Sequence, residues 1–149
     1  ATIEEILEIE RIDKDIYRGH AFTSALRRTF GGQVAGQALV AATRTVGTDY
    51  GVHSLHGYFL RPGKPDQPVI FLVDRIRDGR SFVTRRVNGV QDGEVIFSMS
   101  ASSMLSSSAH PVNTHPATVA TASNTPTASN GKARAPLPVR FSLRLRFVA

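Results

Sequence analysis

The sequence predicts an α+β domain in which one long helix packs against an antiparallel sheet. Three observations lead there. A run of small and apolar residues at helical spacing follows the glycine pair Gly31-Gly32. Four strand-like segments then recur at even spacing, each closed by a turn signal. Two of those signals, Asp78-Gly79 and Asp92-Gly93, favour tight antiparallel hairpins, because type I′ turns need a positive φ that these residues tolerate.

Taken in order, Thr2 precedes Glu5 by three positions, the spacing of a capping box, and Ile3, Ile6 and Leu7 then share one helical face. A short N-terminal helix is expected. Residues 9–19 read as extended chain broken near Asp13-Lys14-Asp15, and a loop over residues 20–29 leads to Phe30 and the glycines. The long helix should occupy residues 33–46. Its interior of Val34, Ala35, Ala38, Leu39, Ala41, Ala42 and Val46 is mostly small, which lets a sheet come close. Gly36 costs about 1 kcal/mol relative to Ala in a helix interior, so either a close backbone approach offsets that loss or the glycine is simply tolerated. Gly47 fits the helix stop. Strands are expected over residues 52–61, 69–77, 82–91 and 95–102. In the second of them Val69, Phe71 and Val73 alternate with Ile70, Leu72 and Ile76, so that strand should be central or covered on both faces.

Composition narrows the function classes. The chain has 149 residues, 41% of them hydrophobic, with no apolar run long enough for a transmembrane segment, and its acidic first ten residues are unlike a signal peptide. A cytoplasmic protein is the expectation. Zero cysteines exclude disulfides, thiolate catalysis and Cys-type zinc sites. The net charge of +6 is uneven: residues 1–104 carry 13 Lys/Arg against 12 Asp/Glu, and residues 105–149 carry 5 against none. With the charge gathered in the tail, no specific nucleic-acid partner is expected of the folded part. Two domains of unlike character follow, a globular region over 1–104 and a basic, low-complexity tail over 105–149. The tail through Asn130 is rich in Ser, Thr, Ala, Asn and Pro, a composition that buries too little apolar surface to order itself. Val139, Phe141, Leu143, Leu145 and Phe147 alternate with polar residues, which is strand periodicity: a sixth strand, an anionic-surface contact, or a segment foreign to the fold.

The candidate chemistry centres on Gly31-Gly32-Gln33. Backbone N–H groups at a helix start lack partners and carry partial positive charge, so they can receive a carbonyl oxygen that becomes an oxyanion. Glycines that simply let helix and sheet pack are the other reading. A phosphate-cradling loop is disfavoured, since neither the P-loop nor the dinucleotide fingerprint spacing is present. His53 and His56 are three apart on a strand, which should place them on opposite faces; with Val52, Ser54, Tyr58 and Leu60 on its own face, His56 is a candidate pocket residue beside Tyr58. No metal site is expected from two histidines so arranged. Asp78 and Asp92 are turn residues, and Asp74 is expected to meet a neighbouring-strand arginine, Arg85 or Arg86. No general base is evident, and no catalytic residue is assigned.

Phe30-Gly31-Gly32-Gln33, Gly36-Gln37-Ala38-Leu39, His53-Ser54-Leu55-His56, Tyr58-Phe59-Leu60-Arg61-Pro62-Gly63, Arg77-Asp78-Gly79 and Ser81-Phe82 occur in one order and at one spacing. Together they make residues 9–102 resemble the N-terminal half of the type II acyl-CoA thioesterases, the bacterial thioesterase II and its peroxisomal relatives. The resemblance implies a hotdog fold, a curved antiparallel sheet wrapped around one long helix, and hydrolysis of fatty acyl-CoA to free fatty acid and coenzyme A without a cofactor. It implies that Gly32 and Gln33 offer backbone donors to the thioester carbonyl, that His56 and Tyr58 line the acyl path, and that Arg61 and Lys64 meet coenzyme A phosphates. Family members join two hotdogs, and the aspartate, hydroxyl residue and glutamine that position water come from the second. Gln33 falls where the second repeat has its aspartate, and a neutral amide cannot accept the proton of water. From Ser103 the chain departs from the family pattern. The expected partners are therefore acyl-CoA and either a second hotdog or further copies of this chain. A non-catalytic module that binds acyl-CoA or a subunit is the alternative.

Overall fold

The computed structural model describes residues 2–21, residues 31–106 and the strand Ser142–Phe147. Most of the expected loop before the long helix, Phe30, and residues 107–141 of the tail lie outside the described residues.

Helix α1 (Ile3–Leu7) opens on the expected capping box, in which the Thr2 hydroxyl accepts from the Glu5 amide and the Glu5 carboxylate accepts from the Thr2 amide. Strands β1 (Ile9–Asp13) and β2 (Ile16–Gly19) form a hairpin across Lys14-Asp15, with Asp15 at φ 58°. Helix α2 (Gly31–Thr43) starts two residues before the expected boundary and stops three residues sooner. Strands β3 (Tyr50–Phe59), β4 (Val69–Asp78), β5 (Phe82–Gln91) and β6 (Glu94–Leu105) follow. The Asp92-Gly93 turn has φ values of 49° and 75°, as a type I′ turn requires. Asp78-Gly79 does not form that turn. Neither residue has a positive φ; the Gly79 amide donates to the Phe82 carbonyl at 2.9 Å, and a Cβ on Gly79 would lie 2.6 Å from that oxygen.

The strands lie in the order β1-β2-β4-β5-β6-β3, antiparallel throughout, and β7 (Ser142–Phe147) adds in parallel to the outer edge of β3. The tail alternation thus becomes a strand of the sheet. Helix α2 lies on one face, where Val34, Ala38, Ala41 and Ala42 meet Phe71, Val87, Phe97 and Met99, all at most 3% exposed. This is the wrapped-helix arrangement that the resemblance implies. β4 is interior, but Leu72 and Ile76 on its far face are 39% and 52% exposed, so it is covered once rather than twice.

Gly36 has a reason different from the expected one. A Cβ there would stand 2.7 Å from Leu7 Cδ2, so the glycine makes room for the N-terminal helix, and not for the sheet. The sheet-side demand falls on Gly19 instead, where a Cβ would lie 2.3 Å from Gln37 Oε1 and 2.9 Å from Phe71.

Candidate functional site

The start of α2 presents the geometry that the sequence suggests. An α-helix leaves its first N–H groups without intrahelical acceptors, here those of Gly31, Gly32 and Gln33. Gly31 rests on the Phe59 ring, which a Cβ would approach to 3.0 Å, and Phe59 packs on Phe97 with ring centroids 4.8 Å apart. Gly32 is exposed, and the Gln33 side chain turns back to donate to the His20 carbonyl at 3.3 Å. No acidic residue stands in the first turn. The turn can stabilise a developing negative charge, and it carries no carboxylate to take up a proton.

Arg61 and Lys64 follow β3 on the surface and are each engaged by a carboxylate. Arg61 lies 3.5 Å from Glu94 and donates to the Val95 carbonyl; Lys64 lies 2.5 Å from Asp92. The Asp92 contact raises the Lys64 ammonium above its ordinary value of 10.5. Exposed pairs of this kind hold only weakly against water, so a phosphate dianion could displace either partner.

His56 and Tyr58 are elsewhere. Their strand neighbours Leu55 and Gly57 are buried towards α2, so alternation turns His56 and Tyr58 to the outer face of the sheet. There the two rings meet edge to face at 4.8 Å and line a groove with Arg86, Asn88, Ser98 and Ser100. The structure therefore separates the expected site residues, with Gly32 and Gln33 on the helix side and His56 and Tyr58 behind the sheet. One acyl path within this domain cannot be lined by both sets.

The expectation that His53 and His56 face oppositely also fails. Val52 pairs with Ser103 and Ser54 with Ser102, so His53 is the extra residue of a β-bulge. The bulge resets the alternation. It removes Val52 from the face of Ser54 and His56 and carries His53 to it, where Nε2 lies 2.9 Å from the Ser102 hydroxyl and the ring meets Phe82 at 5.7 Å.

Asp74 sits directly across from Arg86, but no ion pair joins them among the described residues. Arg85 is engaged with the helix. Its guanidinium, 3% exposed, donates to the Thr45 hydroxyl at 2.8 Å, to the Thr45 carbonyl at 3.0 Å and to Asp78 at 2.6 Å, tying the chain just after α2 to the β4–β5 hairpin. A cation at the negative end of the helix dipole is well placed. Sequence spacing did not distinguish these two adjacent arginines; only strand register assigns one to the buried face and the other to the outer groove. Among the described residues no group of three or more His, Asp or Glu could hold a metal ion.

Comparison with known proteins places this geometry. Residues 21–104 match the family model described as the acyl-CoA thioesterase N-terminal domain. The chain is similar to mouse acyl-coenzyme A thioesterase 8, 50% identical over 101 residues that make up 67% of this chain and 32% of the mouse protein. Acyl-CoA thioesterase 2 of Haemophilus influenzae is 40% identical over 97 residues, 65% of this chain and 34% of that protein. The crystal structure of the acyl-CoA thioesterase II TesB2 from Mycobacterium marinum superposes with a TM-score of 0.62 at 51% identity, over 91% of this chain and 44% of that one. The chain spans about a third of the length of these curated relatives. The region matched by the family model holds α2 with its start and the four strands β3 to β6, so the chain belongs to the type II acyl-CoA thioesterase family and carries its N-terminal hotdog domain.

Proposed function

We propose that this domain is the substrate-receiving half of a double-hotdog enzyme that hydrolyses fatty acyl-CoA. In that reaction a water oxygen bonds to the thioester carbonyl carbon, the C–S bond breaks, and coenzyme A leaves as a thiol with a free fatty acid as the other product. The observation that carries the reading is the first turn of α2, with Gly32 exposed and Gly31 seated on Phe59, and free of any carboxylate. Gly32 and Gln33 offer backbone N–H groups to the carbonyl oxygen, and the water-positioning groups come from a second hotdog. Arg61 and Lys64 exchange Glu94 and Asp92 for coenzyme A phosphates. His56 and Tyr58 take no part, because they lie behind the sheet.

A positioned general base contributes about 10²–10⁴ in rate, so the chain alone should bind acyl-CoA yet turn it over more slowly by that factor than a two-hotdog relative. Coenzyme A release can be followed with a thiol reagent, and the absence of cysteine leaves no background from the protein. Turnover by the purified chain equal to that of the relative would refute the division of labour. A calorimetric titration with a non-hydrolysable acyl-CoA analogue tests the receptive role separately: no heat and no competition would remove it. Among the described residues the outer edge of β1 is unpaired, which also favours association with a further hotdog, either a second copy or another domain. A stable monomer in sedimentation at high concentration would oppose that association.

A further inference from the structure

The groove behind the sheet, which the proposed thioester chemistry does not use, has a chemistry of its own. It measures about 290 Å³ and is lined by His56, Tyr58, Arg86, Asn88, Ser98 and Ser100 over the buried Met99. Two cross-strand rows build it. His56, Ser100 and Arg86 stand in one register row across β3, β6 and β5, and Tyr58, Ser98 and Asn88 stand in the next. Adjacent strands are about 4.8 Å apart, so His56 and Arg86 flank Ser100 from both sides at a spacing that one small ligand can bridge.

The polar groups of this groove are almost all unused donors. Among the described residues the Arg86 guanidinium, the Tyr58 and Ser100 hydroxyls and the His56 ring nitrogens make no hydrogen bond or ion pair, although His56 and Tyr58 touch ring to ring. The Asn88 oxygen is already occupied by the Ser98 hydroxyl at 2.8 Å, which leaves its NH₂ as the available group. No carboxylate lines the groove. Asp74, the next residue in the first row, is in register with Arg86 but does not pair with it. Groups that can all donate, one of them a permanent cation and none of them a carboxylate, suit an anion. A phosphoryl group, with three terminal oxygens spread in three directions, matches donors on three strands better than a carboxylate with two in one plane.

We propose that this outer groove is a binding site for a phosphate monoester, held by Arg86 and Asn88 of β5, Ser100 of β6, and His56 and Tyr58 of β3. It stands apart from the thioester reading and does not depend on it. The test uses the full chain, with inorganic phosphate titrated at constant ionic strength while the histidine ring signals are followed by NMR. The expected result is a saturable millimolar shift of the His56 ring with His53 little changed, weakened at least fivefold by Arg86→Gln and by Ser100→Ala, with far-UV circular dichroism unaltered. Arg86→Lys, which keeps the charge but loses the planar fork, should fall between. Coenzyme A moving His56 at lower concentration than phosphate would name the coenzyme as the source of the phosphoryl group; no effect of coenzyme A would leave a free phosphate monoester, and either result sustains the site. A shift linear in phosphate and shared by all histidines, unchanged affinity in Arg86→Gln, or acetate binding as well as phosphate would overturn the proposal. So would a His56 shift that follows protein concentration without phosphate, since the face would then be an interface between copies.

Discussion

Replacing Arg85 by methionine should be among the most costly single changes in the domain. The residue is 2% exposed, and its guanidinium donates to the Thr45 hydroxyl and carbonyl, to the Arg77 and Thr84 carbonyls and to Asp78. Methionine keeps much of the buried stem, so the change reports lost hydrogen bonds more than a cavity. Hydrogen bonds to a charged group are worth about 1.5–3 kcal/mol each, but these share one donor group and do not add. Asp78 is 59% exposed and regains water once its partner is gone, so its share is small. The larger part comes from Thr45, whose carbonyl loses its charged donor at a nearly dry position. Stranded buried polar groups cost about 1–3 kcal/mol apiece, which puts the whole change at about 2–4 kcal/mol. The assay is urea unfolding followed by far-UV circular dichroism, because the chain has no tryptophan to report. Arg85→Lys should recover less than half of the loss, since a single ammonium cannot span Thr45 and Asp78 together. A loss below about 1 kcal/mol for Arg85→Met, or equal losses for Arg85→Met and Asp78→Asn, would refute the assignment of this network to the helix end.

Three further outcomes rest on close approaches and on one shifted carboxyl. Gly19→Ala drives a Cβ to 2.3 Å from Gln37 Oε1, where Gln37 and Phe71 are both fully buried and cannot retreat, and should destabilise by about 1–3 kcal/mol in the same urea assay. Gly36→Ala should be nearly neutral: the gain of about 1 kcal/mol in helix propensity is set against a contact with the tip of Leu7, on a five-residue helix that buries nothing and can yield. The hydrogen bonds from Arg75 at 2.9 and 2.8 Å hold the Asp15 carboxyl below its ordinary value of 3.8. A lowered folded value means that the pair's stabilisation is complete above pH 3.8 and is lost as pH falls through the folded value. Unfolding midpoints of the wild type and Asp15→Asn should therefore differ at neutral pH and draw together in acid, and a gap that did not narrow as the pH fell below 3.8 would exclude this origin; asparagine tolerates the φ of 58°, so backbone strain does not confuse the comparison.

Much of the fold was legible because it is written in local chemistry. The capping box at Thr2, the break at Lys14-Asp15, the small-residue helix and the boundaries of β5 depend on residues adjacent in sequence, and the structure has them as expected. The Asp-Gly pair at 92–93 forms its turn with Asp92 meeting only the exposed Lys64, whereas Asp78 is drawn to the buried Arg85 and Gly79 folds back on Phe82. Gly36 was legible as a close approach but not as to whom it admits, since Leu7 reaches it from an element 29 residues earlier. Of the site, the start of α2 was readable, being a property of one helix. The outer groove was readable only in part, as His56 beside Tyr58 on one strand; Arg86, Asn88, Ser98 and Ser100 sit on two further strands and join them only through register.

The bulge at His53 shows why register matters for function as well as for fold. Strict alternation through His53-Ser54-Leu55-His56 puts the two histidines on opposite faces, and with them any role assigned to the face. One inserted residue brings both to the outer surface, while Leu55 and Gly57 remain against the core. The sheet then separates two kinds of surface. Towards α2 it is dry, filled by Phe71, Phe97 and Met99 at 1% exposure or less, and the helix start projects from that layer. Away from α2 it carries serines, an arginine and two aromatic rings, several with donors unpaired among the described residues. A ligand on one side touches none of the residues offered on the other, and the layer between them is close-packed, without a visible second arrangement to transmit a signal. Coupling free energy needs two states that each ligand binds differently. Occupancy of the groove should therefore leave the start of α2, the proposed thioester carbonyl site, unaltered, and His53 and His56 both belong to the outer face.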